Sequence, residues 1–296
     1  MHVLLVSKTT NLEQHGDVIR LRISRGFMTS DHLDDLKIAH DQHYASLDQV
    51  KASLESAGIT YDHLQRDDLV YAEQKYDGIF TVGGDGTLLS ASHMADDNTP
   101  LLGICSSNSS VGYLCAVKAP DIGLLVDRFK DGKVDYHRCT RVKASVFHVE
   151  TREHTETAPA LNDFLFTSAN PAATTRYIIK VGDRREVHKS SGIWVATGTG
   201  STGGISAAGG EKVDPECDDL MFLVREPYVS DGAKLKNIKG VFGGNGGVFT
   251  VENRTTDAIL ALDGQREVVP LVFGDRITFK PAMPALVARK LKTSGK

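Results

Sequence analysis

The chain has 296 residues, 41% hydrophobic and 24% charged, with a formal charge of −4. That gives room for two domains with ample core in the composition of an ordinary globular protein. It argues against a nucleic-acid binder that works by bulk electrostatics, and no apolar run approaches the ~18 residues that cross a bilayer.

Residues 2–7 read as a strand from the outset, so no leader is expected before the fold. Cys105, Cys115, Cys139 and Cys217 lie far apart with no Cys-x-x-Cys pair. Neither a zinc site nor a disulfide framework is expected, and a reducing compartment, the cytoplasm, fits.

Residues 8–27 are polar and irregular, with Gly16 and Gly26 as breaks, and read as a long loop. From 31 to 57 the positions Leu36, His40, Tyr44, Leu47, Val50 and Leu54 recur at helical spacing. Gly58 stops the run as a C′ glycine would, giving one long amphipathic helix. Residues 59–64 resemble a second strand. Ile79, Phe80 and Val82 make a third, and Leu88, Leu89 and Ala91 open a helix after it. Residues 100–105 give a fourth strand, and Pro120 and Gly132 bracket a helix over 121–129. This alternation indicates a doubly wound, Rossmann-like parallel sheet. Its ligands belong beyond the carboxyl ends of the strands, where Asp85 and residues 106–112 fall.

Near Asp135 the texture changes. Short runs rich in Val, Ile, Phe and Thr, separated by turn residues, occupy 142–149, 161–166, 176–181, 193–196, 248–251, 259–262, 268–272 and 276–279. The expected division is an α/β domain over 1–135 and a β-rich, sandwich-like domain over 136–281, with 282–296 packing back on the first. Residues 240–247 read as a glycine-rich loop.

Four motifs carry chemistry. In Gly83-Gly84-Asp85-Gly86-Thr87 a strand, a glycine turn and a helix start aim free backbone N–H groups at a phosphate. Asp85 is the unusual member, because a carboxylate repels phosphate. It makes sense acting on the acceptor, by taking a hydroxyl proton or holding a metal. The pattern is neither a Walker A loop nor the spaced dinucleotide fingerprint. Asn162-Asp163 ends a β-type run and offers hydrogen bonds to paired sugar hydroxyls or an amine, although such a pair is also an ordinary turn. After Ile193-Trp194-Val195, the stretch Thr197-Gly198-Thr199-Gly200-Ser201-Thr202-Gly203-Gly204 offers hydroxyls and a backbone on which a flat or anionic ligand can lie. Asp263-Gly264-Gln265 reads as a hairpin turn. His93 and His188 read as structural.

The pentapeptide resembles the signature shared by NAD kinases, diacylglycerol and sphingosine kinases and, more distantly, phosphofructokinases, and does not choose between them. In series, the four motifs resemble the NAD kinase family over nearly the whole chain. Ser191-Gly192, Thr197-Gly198-Thr199-Gly200 and Thr202-Gly203-Gly204 depart from the family's usual Asp-Gly, Thr-Pro-Thr-Gly and Thr-Ala-Tyr, and Ser190-Ser191-Gly192 with Gly198-Thr199-Gly200-Ser201 looks closer to its mitochondrial-type eukaryotic branch. The resemblance implies ATP-dependent phosphorylation of the 2′-hydroxyl of the adenosine ribose of NAD. Asp85 would be the base, Gly83, Gly84, Gly86 and Thr87 the cradle for ATP phosphates, and Mg²⁺ would be held mainly by those phosphates. Asn162, Asp163, Thr199, Ser201, Thr202 and Gly203 would bind NAD. Lys189 would be either a phosphate contact or an exposed strand lysine. A homodimer or homotetramer is expected by resemblance, with no nucleic-acid or membrane partner. The competing readings are a lipid kinase of the diacylglycerol or sphingosine type and a non-catalytic NAD(P)-binding sensor.

Overall fold

The computed structural model describes the chain except residues 71–73, 109–110, 230–233, 245–246, 265–266 and 293–296. It divides into two compact units, Met1–His137 with Leu286–Lys296, and Arg138–Ala285.

In the first unit β1 (His2–Ser7) lies between β2 (Thr60–Gln65) and β3 (Ile79–Gly83), with β4 (Leu101–Cys105) beyond β3, all parallel. β5 (Val117–Lys118) pairs with β4. β3 and β4 are buried at every residue and β1 at all but its first, which is why they are apolar without alternation: both faces are covered. α2 (Asp31–Ser56) supplies Leu47, Val50 and Leu54, which pack with Leu125 and Phe129 of α4 (Ile122–Lys130) over Phe80. α3 (Asp85–Ser92) follows β3 directly. Near the end of the chain Val287 pairs with Leu101, and Leu291 N–H donates to the Ala116 carbonyl at 3.0 Å.

Residues 8–27 are not a loop. Asn11–Ser24 form α1, begun by a capping box in which the Thr10 hydroxyl accepts from Glu13 N–H at 3.4 Å and the Glu13 carboxylate accepts from Thr10 N–H at 2.7 Å. Only Gly16 and Ile19 of this helix are buried, so the apolar stripe that marks a helix in sequence is nearly absent.

The second unit is a sandwich of two antiparallel sheets. One runs in the order β13 (Lys239–Phe242), β12 (Leu220–Val224), β11 (Ile193–Ala196), β8 (Asp163–Ser168), β15 (Ala258–Leu262), β16 (Glu267–Leu271). The other runs β10 (Arg184–Ser190), β9 (Thr175–Val181), β14 (Phe249–Asn253), β17 (Arg276–Ala288), with β6 (Tyr136–Phe147) on β17 and β7 (His154–Glu156) on β6. Phe164, Phe166 and Phe222 from one inner face meet Tyr177, Phe249 and Phe279 from the other. Phe222 and Phe249 stack with ring centroids 4.4 Å apart. The expected strands are present, but β7, β10 and β12 are additions, and β13 takes residues 240–242 out of the expected glycine loop.

Candidate active site

In the first unit, Gly84 caps the start of α3 in extended conformation and Asp85 is the first helical residue. Gly84 and Asp85 are half-buried and Gly86 is exposed, so the open side of the bend consists of these three. The first backbone N–H groups of any helix lack intrahelical partners, and together with the helix dipole they favour an anion. A Cβ at Gly86 would meet nothing among the described residues within 4 Å, and its φ is not in the left-handed range. Nothing among the described residues requires glycine there; a ligand lying against the backbone would. Thr87 departs from the expectation. It is buried with its side chain packed against Gly83, so it supports the bend from beneath.

The Asp85 carboxylate accepts the backbone N–H groups of Leu114 at 2.7 Å and Tyr113 at 3.0 Å. These bonds fix its orientation and tie it to the segment that follows β4. That segment is further held by Ser106, whose N–H donates to the Gly83 carbonyl at 2.9 Å and whose hydroxyl lies 3.0 Å from Nδ1 of His43 on α2. Burial, then the Lys8 charge, pushes His43 down to about 4.

The second unit holds the other motifs. Asp263, with φ of 43°, turns its carboxylate onto the start of β8 and accepts the N–H groups of Leu161, Asn162 and Asp163 at 3.0, 2.8 and 3.1 Å. A hairpin residue therefore fixes the backbone of the Asn-Asp pair. Gln265 lies outside the described residues. Asp163 is itself buried, and burial, with the Asp263 charge adding to it, raises its carboxyl to about 7.

The glycine-rich loop after β11 packs on the same backbone. Thr197 N–H donates to the Asn162 carbonyl at 2.9 Å, and its hydroxyl donates to the Leu161 carbonyl at 2.6 Å. A 3₁₀ turn, Thr199–Thr202, then leads into the short helix α5 (Gly204–Ala207). Gly200 lies so close to the Asn162 carbonyl that a Cβ would collide with it. At Gly203 a Cβ would lie 3.6 Å from Asp163 Oδ2 and 3.7 Å from Asn162 Nδ2, so both polar side chains face this residue. Asn162 Oδ1 and Thr199 Oγ1 are buried without partners among the described residues, and buried polar atoms of this kind call for a ligand or water.

Other expected residues sit differently. Ser201 is wholly buried, with its hydroxyl accepting from Val213 N–H at 3.1 Å, so it shapes the loop and is not free to line a pocket. The Thr202 hydroxyl donates to the Thr199 carbonyl at 3.3 Å. Lys189, on β10, is half-buried with its ammonium 4.8 Å over the Tyr228 ring. At Gly204 a Cβ would strike the Trp194 indole, so Trp194 occupies the space that a larger side chain at 204 would need. An aromatic surface thus stands beside a loop that lacks its own. Among the described residues, no three His, Cys, Asp or Glu side chains are grouped for a metal.

Residues 23–134 match the family model described as ATP-NAD kinase N-terminal domain. An NADH kinase of Arabidopsis thaliana is 30% identical over 254 residues, covering 77% of this chain and 77% of its own. The chain belongs to the NAD kinase family. As an NAD kinase family member it shares its fold with yeast NADH kinase complexed with NADH, at TM-score 0.71 and 16% identity over 98% of this chain and 84% of that one. An NAD kinase from Archaeoglobus fulgidus in complex with ATP gives TM-score 0.68 and 21% identity over 98% and 94%. The expected fold, an α/β part followed by a β-rich part, is thereby met, and family membership sets the lipid-kinase reading aside. No helix among the described residues is long and apolar enough to cross a membrane.

Sequence reasoning did not single out three features of this NAD kinase relative: the His43–Ser106 pair, the Tyr113 and Leu114 amides, and the bonding of Asp263 to β8. Each depends on contacts 63, 29 and about 100 residues apart in sequence, and no local pattern announces them.

Proposed function

We propose that this chain phosphorylates the 2′-hydroxyl of the adenosine ribose of NAD with the terminal phosphoryl group of ATP, giving NADP and ADP. The observation that carries the reading is Asp85, oriented by the Tyr113 and Leu114 N–H groups and placed at the helix start between half-buried Gly84 and exposed Gly86. Phosphoryl transfer depends on alignment and charge neutralisation more than on covalent chemistry. The amides around Gly84 and Gly86 would receive the donor phosphates, with Gly83 and Thr87 shaping the bend beneath. Asp85 takes the proton of the attacking hydroxyl as the O–P bond forms and the bond to the ADP oxygen breaks. Magnesium is proposed to arrive with the nucleotide, neutralising phosphate charge.

Asn162 and Asp163 are the proposed contacts to the ribose and adenine of NAD, supported by the unpartnered Asn162 Oδ1 and by the carboxyl that faces Gly203. Thr199 and the Gly203 backbone would line the same pocket, Thr202 its edge, and Lys189 a phosphate of the dinucleotide. NADH is a second acceptor worth equal trial, because the Arabidopsis relative is named an NADH kinase. A homo-oligomer formed through the β-rich unit and a cytoplasmic location complete the proposal.

The test is incubation with ATP, Mg²⁺ and either NAD or NADH, followed by an enzymatic assay for NADP or NADPH. Formation of neither would reject the reading, and the ratio of the two rates assigns the acceptor.

A further inference from the structure

Lys8 has no part in the chemistry above, yet its position is hard to explain without a ligand. It follows Ser7 at the end of β1, and its backbone N–H donates to the Val82 carbonyl at 3.4 Å. Ser7 is in register with Val82, and Gly83 with Cys105, so Lys8 stands beside the first glycine of the bend. Electrostatic interactions couple Lys8 to Cys105, at the end of β4, and to Arg66 and His43. Lys8 therefore stands at the carboxyl end of β1, beside those of β3 and β4.

Lys8 is half-buried, and among the described residues no ion pair joins it to a carboxylate. A partly desolvated cation without a counter-ion is an unfavourable arrangement that proteins keep when an anion completes it. Its surroundings reinforce the need: Arg66 is a second cation, and its nearest carboxylate, Asp67, is already engaged at 3.1 Å. Burial lowers the Lys8 pKa, with Cys105 opposing that shift and Arg66 adding to it. An incoming anion would reverse the shift.

The sheet order explains why an anion belongs here. β1 is flanked by β2 on one side and β3 on the other, so the chain leaves β1 in one direction and later continues in the opposite one. That reversal is a switch point, where open α/β sheets place their ligands beyond the strand ends. The glycine bend forms one wall of this point and Lys8 the other. We propose that Lys8 binds the polyphosphate chain of the phosphoryl donor, as a point charge complementing the amides of Gly84 and Gly86. This rests on the kinase reading for the identity of the donor, but not for the acceptor.

The experiment measures donor binding by calorimetry in the absence of NAD, with three probes: ATP, inorganic tripolyphosphate and adenosine. Lys8→Met should weaken ATP and tripolyphosphate binding ten-fold or more, Lys8→Arg should weaken both less, and adenosine binding should not change. Binding of ATP and tripolyphosphate to Lys8→Met within two-fold of the unaltered protein would overturn the proposal. If Lys8→Met fails to fold, the unaltered protein decides: ATP should protect the Lys8 amine from reductive methylation, read by peptide mass spectrometry, and unchanged modification overturns the assignment. Protection by tripolyphosphate as strong as by ATP would identify the phosphate chain as the contact. Loss of Lys8-dependent binding with NADP still formed sinks this inference alone. Lys8-dependent binding with no NADP formed sinks only the proposed acceptor.

Discussion

Asp85 Oδ1 accepts the backbone N–H of Leu114 at 2.7 Å, so the proposed base is also the anchor of the segment after β4. The two roles can be separated by substitution. Asp85→Asn presents an amide NH₂ where one of the two backbone N–H groups expects an acceptor, losing a charge-assisted hydrogen bond of roughly 1.5–3 kcal/mol. Thermal unfolding should therefore show a lower but cooperative transition. Turnover should fall by three orders of magnitude or more, because an amide does not take the hydroxyl proton. Retained turnover in this folded variant would remove Asp85 as the base.

Asp163 places function against stability. Its carboxyl is raised by burial and by the neighbouring Asp263 to about 7, so the folded state prefers the protonated form. The contribution of the protonated group is full below the ordinary carboxylate range and is lost as pH rises toward 7. Asp163→Asn has no charge to bury. It should be more stable than the unaltered protein at pH 8, by up to about 4 kcal/mol, and by only about 1.5 kcal/mol at pH 5. Urea titrations at the two pH values test the difference. The same variant should bind NAD more weakly.

His43 gives the opposite pH dependence. Burial, then Lys8, lowers it to about 4, so the fold prefers the neutral imidazole and the unfolded chain takes up the proton first as pH falls. Stability should decline between pH 6.5 and pH 4, by about 3 kcal/mol from this residue. In His43→Asn, which keeps a polar group near Ser106, that part of the decline should be absent. An unchanged pH slope in denaturant unfolding would show that His43 is not its source.

Elements that bury apolar surface carry a pattern in the sequence, and those that bury little do not. The strands β1, β3 and β4 are apolar because they are covered on both faces, and α2 is periodic because one stripe is covered. α1 has almost nothing to cover, and its one local sign, threonine followed three residues later by glutamate, is short. β12 is an unbroken apolar run buried at every residue, with Asp218-Asp219 before it and Pro227 shortly after; without alternation it does not show which of its faces is covered. In the candidate site the glycines and Asp85 were legible because they cluster. The residues that orient them were not, since Leu114 and Asp263 act on partners 29 and about 100 positions away.

Two glycines make contrasting predictions. Gly200 presses against the Asn162 carbonyl, and Gly86 faces open space. Gly200→Ala must push the 3₁₀ turn off the backbone of the Asn-Asp pair, at a cost of about 1–3 kcal/mol, and should raise KM for NAD. Gly86→Ala meets none of the described residues and replaces glycine in the first turn of a helix, so folding stability should hold or rise by a few tenths of a kcal/mol. Its methyl group would lie where the donor phosphates approach the backbone, so KM for ATP should rise about ten-fold while KM for NAD stays the same. Steady-state kinetics with each substrate varied in turn separates the two effects. A Gly86→Ala enzyme with unaltered KM for ATP would show that phosphate does not lie against this part of the bend.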